Sequence, residues 1–174
     1  LGLAESDLGI GNRLQLDSQD LLANLNKVQL RHGLKPSESL ASRDFTVEME
    51  TGTGKTYVYL RTVFELNKRY GFTKFVIVVP SVAIKEGAYK SLQIMAPHFQ
   101  SLYSGQPFEY FLYDSAKLNQ VRNLATSQHL QVMVVPVGAI NKRDVNNLYK
   151  DSEKTGGEKP IDLIKATRPI IIVD

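Results

Sequence analysis

The sequence predicts an α/β protein, three layers deep, with a mostly parallel central sheet and helices on both faces. Three observations predict it. β-prone segments alternate with helix-periodic ones five times along the chain. Three of those segments, around residues 74–79, 130–135 and 170–173, are near-continuous apolar runs rich in Val and Ile, which suits strands covered on both faces. The stretch Glu48-Met49-Glu50-Thr51-Gly52-Thr53-Gly54-Lys55-Thr56 sets a glycine-rich loop between a β-prone segment and a helix.

Each element has its own signal. Residues 1–16 carry few. A helix follows from Asp17 or Ser18 as cap, with Leu21, Leu25 and Val28 at helical spacing and Gly33 at its end. Residues 1–40 therefore read as a helical lead-in and 41–174 as the main domain. A strand is predicted over 45–50 and a helix over 57–70, closed by Lys68, Arg69 and Gly71. The run at 74–79 ends at Pro80. Ser81 caps a helix with the stripe Ile84, Ala88, Leu92, Met95, which Pro97 stops. A strand at 108–113 precedes a helix capped by Asp114 or Ser115, with Leu118, Val121 and Ala125 on one face. After the strand at 130–135 come Pro136 and a short helix over 144–149. Residues 150–159 hold no apolar side chain and two glycines, so a mobile loop is expected there. A short helix at 161–166 leads into the last strand.

Composition bounds the function. A chain of 174 residues, 43% hydrophobic and 22% charged, can bury one real core. Net charge of +3 and a pI near 9.0 permit an anionic partner without demanding one. Without cysteine there is no disulfide framework and no thiolate metal site. His32, His98 and His129 are scattered and read as ordinary side chains. No apolar run reaches the ~20 residues a membrane span needs, and the N-terminus lacks signal-peptide order, so a cytoplasmic setting is expected. The first residue is Leu and the last strand closes the sequence, so a piece of a longer protein is expected.

The loop at 51–56 carries the chemistry. Gly52 and Gly54 lack a Cβ, which lets backbone N–H groups curl around phosphate oxygens. Thr51, Gly52, Thr53, Gly54, Lys55 and Thr56 are the nucleotide-binding candidates. A helix starting just past the loop adds its free N–H groups and its dipole. Lys55 supplies a charge for the β- and γ-phosphates, and the Thr56 hydroxyl can ligate Mg²⁺. By chance, Gly-x-Gly-Lys-Ser/Thr should arise in roughly one chain in a hundred of this length. Position 49 carries Met where such loops usually have Gly, so it is expected to avoid φ > 0. The second half of the site is Ile170-Ile171-Ile172-Val173-Asp174, in which a strand delivers Asp174 to the sheet's carboxyl edge as a magnesium ligand. Lys55 and Asp174 are the catalytic candidates. Gln19 is either an adenine reader or a helix-surface residue, and the second fits its position better.

These motifs carry a resemblance. Residues Met49 to Thr56 resemble motif I of superfamily 2 helicases, Val78-Val79-Pro80-Ser81 resembles motif Ia, and Ile171-Ile172-Val173-Asp174 resembles the start of motif II. Motif I continued to Tyr57, then Leu66-Asn67-Lys68, Lys74 to Pro80 and Ile84-Lys85, is similar to the restriction subunit of type III restriction-modification enzymes. That resemblance implies a RecA-like P-loop NTPase fold, ATP and Mg²⁺ as cofactors, double-stranded DNA as substrate, and a modification (methyltransferase) subunit as partner. It implies ATP hydrolysis driving communication along DNA before cleavage by a nuclease domain outside this chain. It also implies backbone DNA contacts at Pro80, Ser81 and Gly138. The isolated piece is expected to bind nucleotide weakly and hydrolyse it little.

Three other readings compete. One is a superfamily 2 helicase or translocase without nuclease. Another is a P-loop small-molecule kinase, which needs a lid rich in arginines; here Arg61, Arg69, Arg122, Arg143 and Arg168 are dispersed. The third is a nucleotide-binding module that does not hydrolyse.

Overall fold

A computed structural model describes residues 4–174. In chain order they form β1 (Ala4–Ser6), β2 (Gly9–Gly11), α1 (Ser18–Arg31), α2 (Lys55–Tyr70), β3 (Lys74–Val79), α3 (Val82–Leu102), β4 (Phe108–Leu112), α4 (Asn119–Thr126), β5 (Leu130–Pro136), α5 (Pro160–Ala166) and β6 (Ile170–Val173). Three short 3-10 turns interrupt the stretch between β5 and α5. The chain divides into two compact units. Gly54–Asp174 and the residues up to Arg13 make the larger, and Leu14–Thr53 the smaller.

The larger unit is an α/β layer structure. Its sheet has the order β4-β5-β3-β6 and every pair is parallel. Strand side chains alternate faces, so β3, β4 and β5 each feed two cores. Phe75, Ile77, Val79, Val132 and Val134 meet Leu60, Val63 and Phe64 of α2 and Leu92 and Phe99 of α3. Val76, Val78, Met133 and Val135 meet Val121 and Leu124 of α4 and Leu163 and Ile164 of α5. The central strands β3 and β5 are buried on both faces, as their unbroken apolar runs require. The last strand departs from that expectation. Ile170 and Ile172 pack inward, while Ile171 and Val173 are 60% and 78% exposed, because β6 is an edge strand and no described helix covers its other face.

Helix α3 runs straight through Pro97, where a stop was expected. Proline costs one backbone bond in a helix interior. The turn beyond it carries Phe99 and Tyr103, which stack on Phe64 at centroid distances of 5.1 Å each. Burying those two rings, at about 1.5–3 kcal/mol for a side chain of Phe size, offsets the missing bond. Helix α4 starts at Asn119, later than expected, because Asp114 spends its carboxylate on a turn, accepting from Ala116 N–H at 2.9 Å. The helix expected over 144–149 is only a 3-10 turn at Asn147–Tyr149. The 150–159 stretch is not a free loop. Thr155 is buried, its hydroxyl lying 2.9 and 2.5 Å from the Ser152 and Glu158 carbonyls, either of which can take its one proton, and Lys154 Nζ reaches Ala116 O at 2.6 Å.

The N-terminal hairpin β1–β2 was not foreshadowed. It pairs antiparallel, Ala4 opposite Gly11, and its glycines sit where nothing larger fits. A Cβ on Gly9 would come within 2.6 Å of Ala125 O, and one on Gly11 within 2.5 Å of Ala166 O. Next to it Asn12 is buried and fully bonded. Its Oδ1 accepts from Thr73 and Lys74 N–H at 2.9 and 3.1 Å, and its Nδ2 donates to Lys74 O at 2.8 Å and Arg168 O at 3.2 Å. Its own N–H donates to Thr167 O at 2.8 Å. The Asn12 amide thus stands in for a peptide unit where β6 has not yet begun to pair with β3.

Lys74, at the start of β3, is 0% exposed. Its ammonium donates to Leu124 O at 2.6 Å and to Ser127 O, closing the carboxyl end of α4. Burial pulls it down to about 8 from its ordinary 10.5, and the nearby Glu109 carboxylate only partly opposes this. Below pH 8 the amine is charged in both folded and unfolded chains, so the burial penalty is carried in full. Between about 8 and 10.5 the folded form gives up its proton first, the unfolded chain binds more protons, and stability rises with pH from this group. Urea midpoints at pH 7.5, 8.5 and 9.5, chosen at roughly one-unit steps across that rise, should climb more steeply in the wild type than in Lys74→Met. Parallel slopes would show that Lys74 does not titrate there.

The smaller unit is built on α1. Asp17 caps it as expected, accepting from Gln19 and Asp20 N–H at 2.9 and 2.8 Å. Gly33, at φ 70°, ends it. Gln29 ties the following loop back through Ser37, with two bonds of 2.9 Å. Leu21, Leu25 and Val28 do share a face, yet no α1 residue is buried. The strand expected over 45–50 is absent. Phe45 and Val47 are exposed and the segment pairs with no strand among the described residues. Alternation alone does not make a strand, since its N–H and C=O groups need a neighbouring ladder.

Candidate functional site

The phosphate-loop sequence spans the point where the chain passes from the smaller unit to the larger. On the near side, Thr53 folds back on Glu50: its hydroxyl donates to Glu50 O at 2.6 Å and its N–H does so at 3.4 Å. Gly52 between them has φ 80°, with nothing within 4 Å of where a Cβ would stand. Its glycine is required by backbone conformation and not by crowding. Met49 stays out of the positive-φ region, as its side chain demands.

On the far side, Gly54 (φ 84°) is the N-cap of α2 and accepts from Val58 N–H at 3.1 Å. Helix α2 therefore begins at Lys55, two residues earlier than periodicity alone suggests. No side chain caps it and no acidic residue lies in its first turn. Its leading N–H groups and dipole are left for an anion from outside. Lys55 is exposed and has no ion-pair partner among the described residues.

Asp174 ends β6, and its N–H donates to Val78 O at 3.0 Å, extending the β3–β6 ladder by one bond. Thr56 and Asp174 both act on the phenol of Tyr59. Tyr59 lies one helical turn beyond Thr56 on α2, half-buried against the α2–α3 core. Burial pushes its phenol above the ordinary range. The Thr56 hydroxyl works against that shift, and the Asp174 carboxylate adds to it through its charge and as a hydrogen-bond acceptor. The Thr56–Tyr59 spacing of three was the signal available. A hydroxyl and a carboxylate make an all-oxygen donor pair, which suits a hard ion such as Mg²⁺.

The expected DNA contacts lie on the same carboxyl edge. Ser81 caps α3, its Oγ accepting from Ile84 N–H at 3.2 Å, just after Pro80 closes β3. Gly138 sits in a 3-10 turn after β5, its carbonyl accepting from Asn146 Nδ2 at 3.1 Å. Val79 and Pro136 are register partners, so the two segments leave adjacent strands side by side. A Cβ on Gly138 would meet open space, so this glycine leaves room above the backbone. Gln19 is an exposed residue of α1. Among the described residues no group of His, Asp and Glu forms a further metal cluster. No described helix is long and apolar enough to cross a membrane.

The sequence model of the family described as "Type III restriction enzyme, res subunit" matches residues 18–174. The chain belongs to that family. Its Res-subunit relatives include that of EcoP15I from Escherichia coli, 30% identical with 92% of this chain and 19% of the relative covered. The EcoPI Res subunit of Escherichia phage P1 is 29% identical, covering 95% and 19%. The StyLTI Res subunit of Salmonella typhimurium is 34% identical over 74% of this chain and 15% of its own length. This Res-family chain thus spans about a fifth of the length of the curated relatives it matches. Its all-parallel sheet, with helices packed on it, fits the RecA-like architecture the resemblance implied.

Proposed function

We propose that this chain is the ATP-binding part of the first motor domain of a type III restriction endonuclease, with residues 41–174 as its core. ATP hydrolysis here drives movement or communication along double-stranded DNA. Cleavage follows at a nuclease domain outside this chain, and a methyltransferase subunit supplies site recognition, in the cytoplasm. The observation that supports this reading is the uncapped start of α2 at Lys55, which leaves the leading helix N–H groups and one ammonium for an anion.

Each residue has a role. The first-turn N–H groups of α2 and the Lys55 ammonium take the phosphates of ATP, and Gly52 and Gly54 let the backbone approach them. Thr56 and Asp174 would hold magnesium, which spreads the charge that builds on the transferring phosphate. Ser81 and Gly138 meet the DNA backbone on the same edge, which gives phosphate-site changes a short path to the DNA. Family membership and the dispersed arginines favour this motor over a small-molecule kinase.

The test is Asp174→Asn in the intact protein. DNA-stimulated, magnesium-dependent ATP turnover should fall about 100-fold or more, while metal-free nucleotide binding holds. Wild-type turnover in that variant would remove Asp174 from the site.

A further inference from the structure

A second concavity opens on the same sheet edge, away from the phosphate loop. It is a cavity of about 490 Å³ at the carboxyl ends of β4 and β5, within the range of small-ligand sites. Strand β3 stands between its β5 wall and β6 with Asp174, so it is not an extension of the candidate nucleotide site. Tyr89 of α3 and Tyr110 of β4 form an aromatic wall, ring centroids 5.5 Å apart and tilted by 55°. Asp114, Lys117 and Gln120 line it with polar groups, and Lys85, its side chain only 14% exposed, comes in from the first turn of α3.

The chemistry selects the ligand class. The two lysines are balanced by Glu86, whose carboxylate is 3.8 Å from Lys85 Nζ, and by Asp114. A site so balanced has little to offer a bare phosphate. It suits a group with a flat face and a mixed donor–acceptor edge: rings for stacking, a carboxylate to accept from an exocyclic amine, and an amide that both donates and accepts. Position supplies the source of that group. Pro136 and Ala139 line the cavity and flank Gly138, so a strand whose phosphates touch Ser81 and Gly138 runs past the mouth.

We propose that this pocket receives a single unstacked base of the bound DNA, its face against Tyr89 and Tyr110 and its edge read by Asp114 and Gln120. This rests on the DNA-motor reading above. A motor that holds one base out of the stack has a fixed point on an otherwise uniform backbone.

The experiment uses the intact protein without ATP and two short duplexes of one sequence, one fully paired and one carrying a single unpaired 2-aminopurine. Anisotropy gives affinity and 2-aminopurine emission reports stacking. The wild type should prefer the unpaired-base duplex about tenfold, with quenched emission, the low end of what one stacked base contributes. Tyr89→Ala should lose the preference and the quenching yet bind the paired duplex as before, and Tyr89→Phe should keep both. Gln120→Ala should reduce the preference with quenching retained. A wild type that does not discriminate, or a Tyr89→Ala variant that still does, overturns the pocket and leaves the DNA grip standing. Failure to bind either duplex overturns the motor reading as well. If Tyr89→Ala changes only association with a methyltransferase subunit, the occupant is a protein segment and the proposal falls.

Discussion

Lys55→Ala is expected to weaken ATP binding by about 10- to 100-fold, the value of one charge-assisted phosphate contact, and to bring turnover to background. The helix start leaves the ligand's charge to be met by backbone N–H groups and this one ammonium, since no other cation lies in the first turn of α2. Its removal takes away the point charge and leaves the helix dipole. Residual weak binding is therefore expected, not complete loss. The fold should be unaffected, because Lys55 is exposed and has no ion-pair partner among the described residues. Calorimetric titration with ATP, alongside thermal melting, checks both halves. Unchanged affinity at unchanged melting temperature would contradict the assignment of the phosphate site.

The largest expected loss of stability comes from Asn12→Leu. The substitution is close in volume, so little cavity is created. What it removes is a partner for two N–H groups, of Thr73 and Lys74, and two carbonyls, of Lys74 and Arg168. A buried group left unpaired costs about 1–3 kcal/mol, and four of them, with partial relaxation, put the total near 4 kcal/mol. Denaturant midpoints give the answer directly. Asn12→Asp should fail similarly, since it keeps the acceptor for the two N–H groups but cannot donate to the two carbonyls. A loss below about 1 kcal/mol for Asn12→Leu would mean that water or the backbone takes over these bonds.

What could be read from the sequence was whatever the chain specifies locally. The Val/Ile runs of β3 and β5, Ser81 and Asp17 as caps, and the glycines at 52 and 54 follow from side-chain shape and backbone freedom over a few residues. What could not be read depends on partners distant in sequence. Residues 45–50 alternate like a strand but have no described ladder to join. Pro97 looks like a stop until the stack of Phe64, Phe99 and Tyr103 is known. Asp114 looks like a cap, yet it turns the chain before α4. At the candidate site, Lys55, Thr56 and Asp174 stand out through motif spacing, whereas Tyr59 offered only its spacing of three from Thr56, because the Asp174 carboxylate that acts on it is distant in sequence.

The Asn12 clamp also bears on where this part of the protein can be cut. The similarity that defines the family begins at residue 18, downstream of the hairpin and of Asn12. A gene segment trimmed to that border would encode every candidate phosphate-binding residue and still lack the amide that ties Lys74, at the start of β3, to Arg168, just ahead of β6. The border of the family match and the border that holds the sheet together differ here. Any attempt to transplant this domain into another protein should carry the hairpin with it.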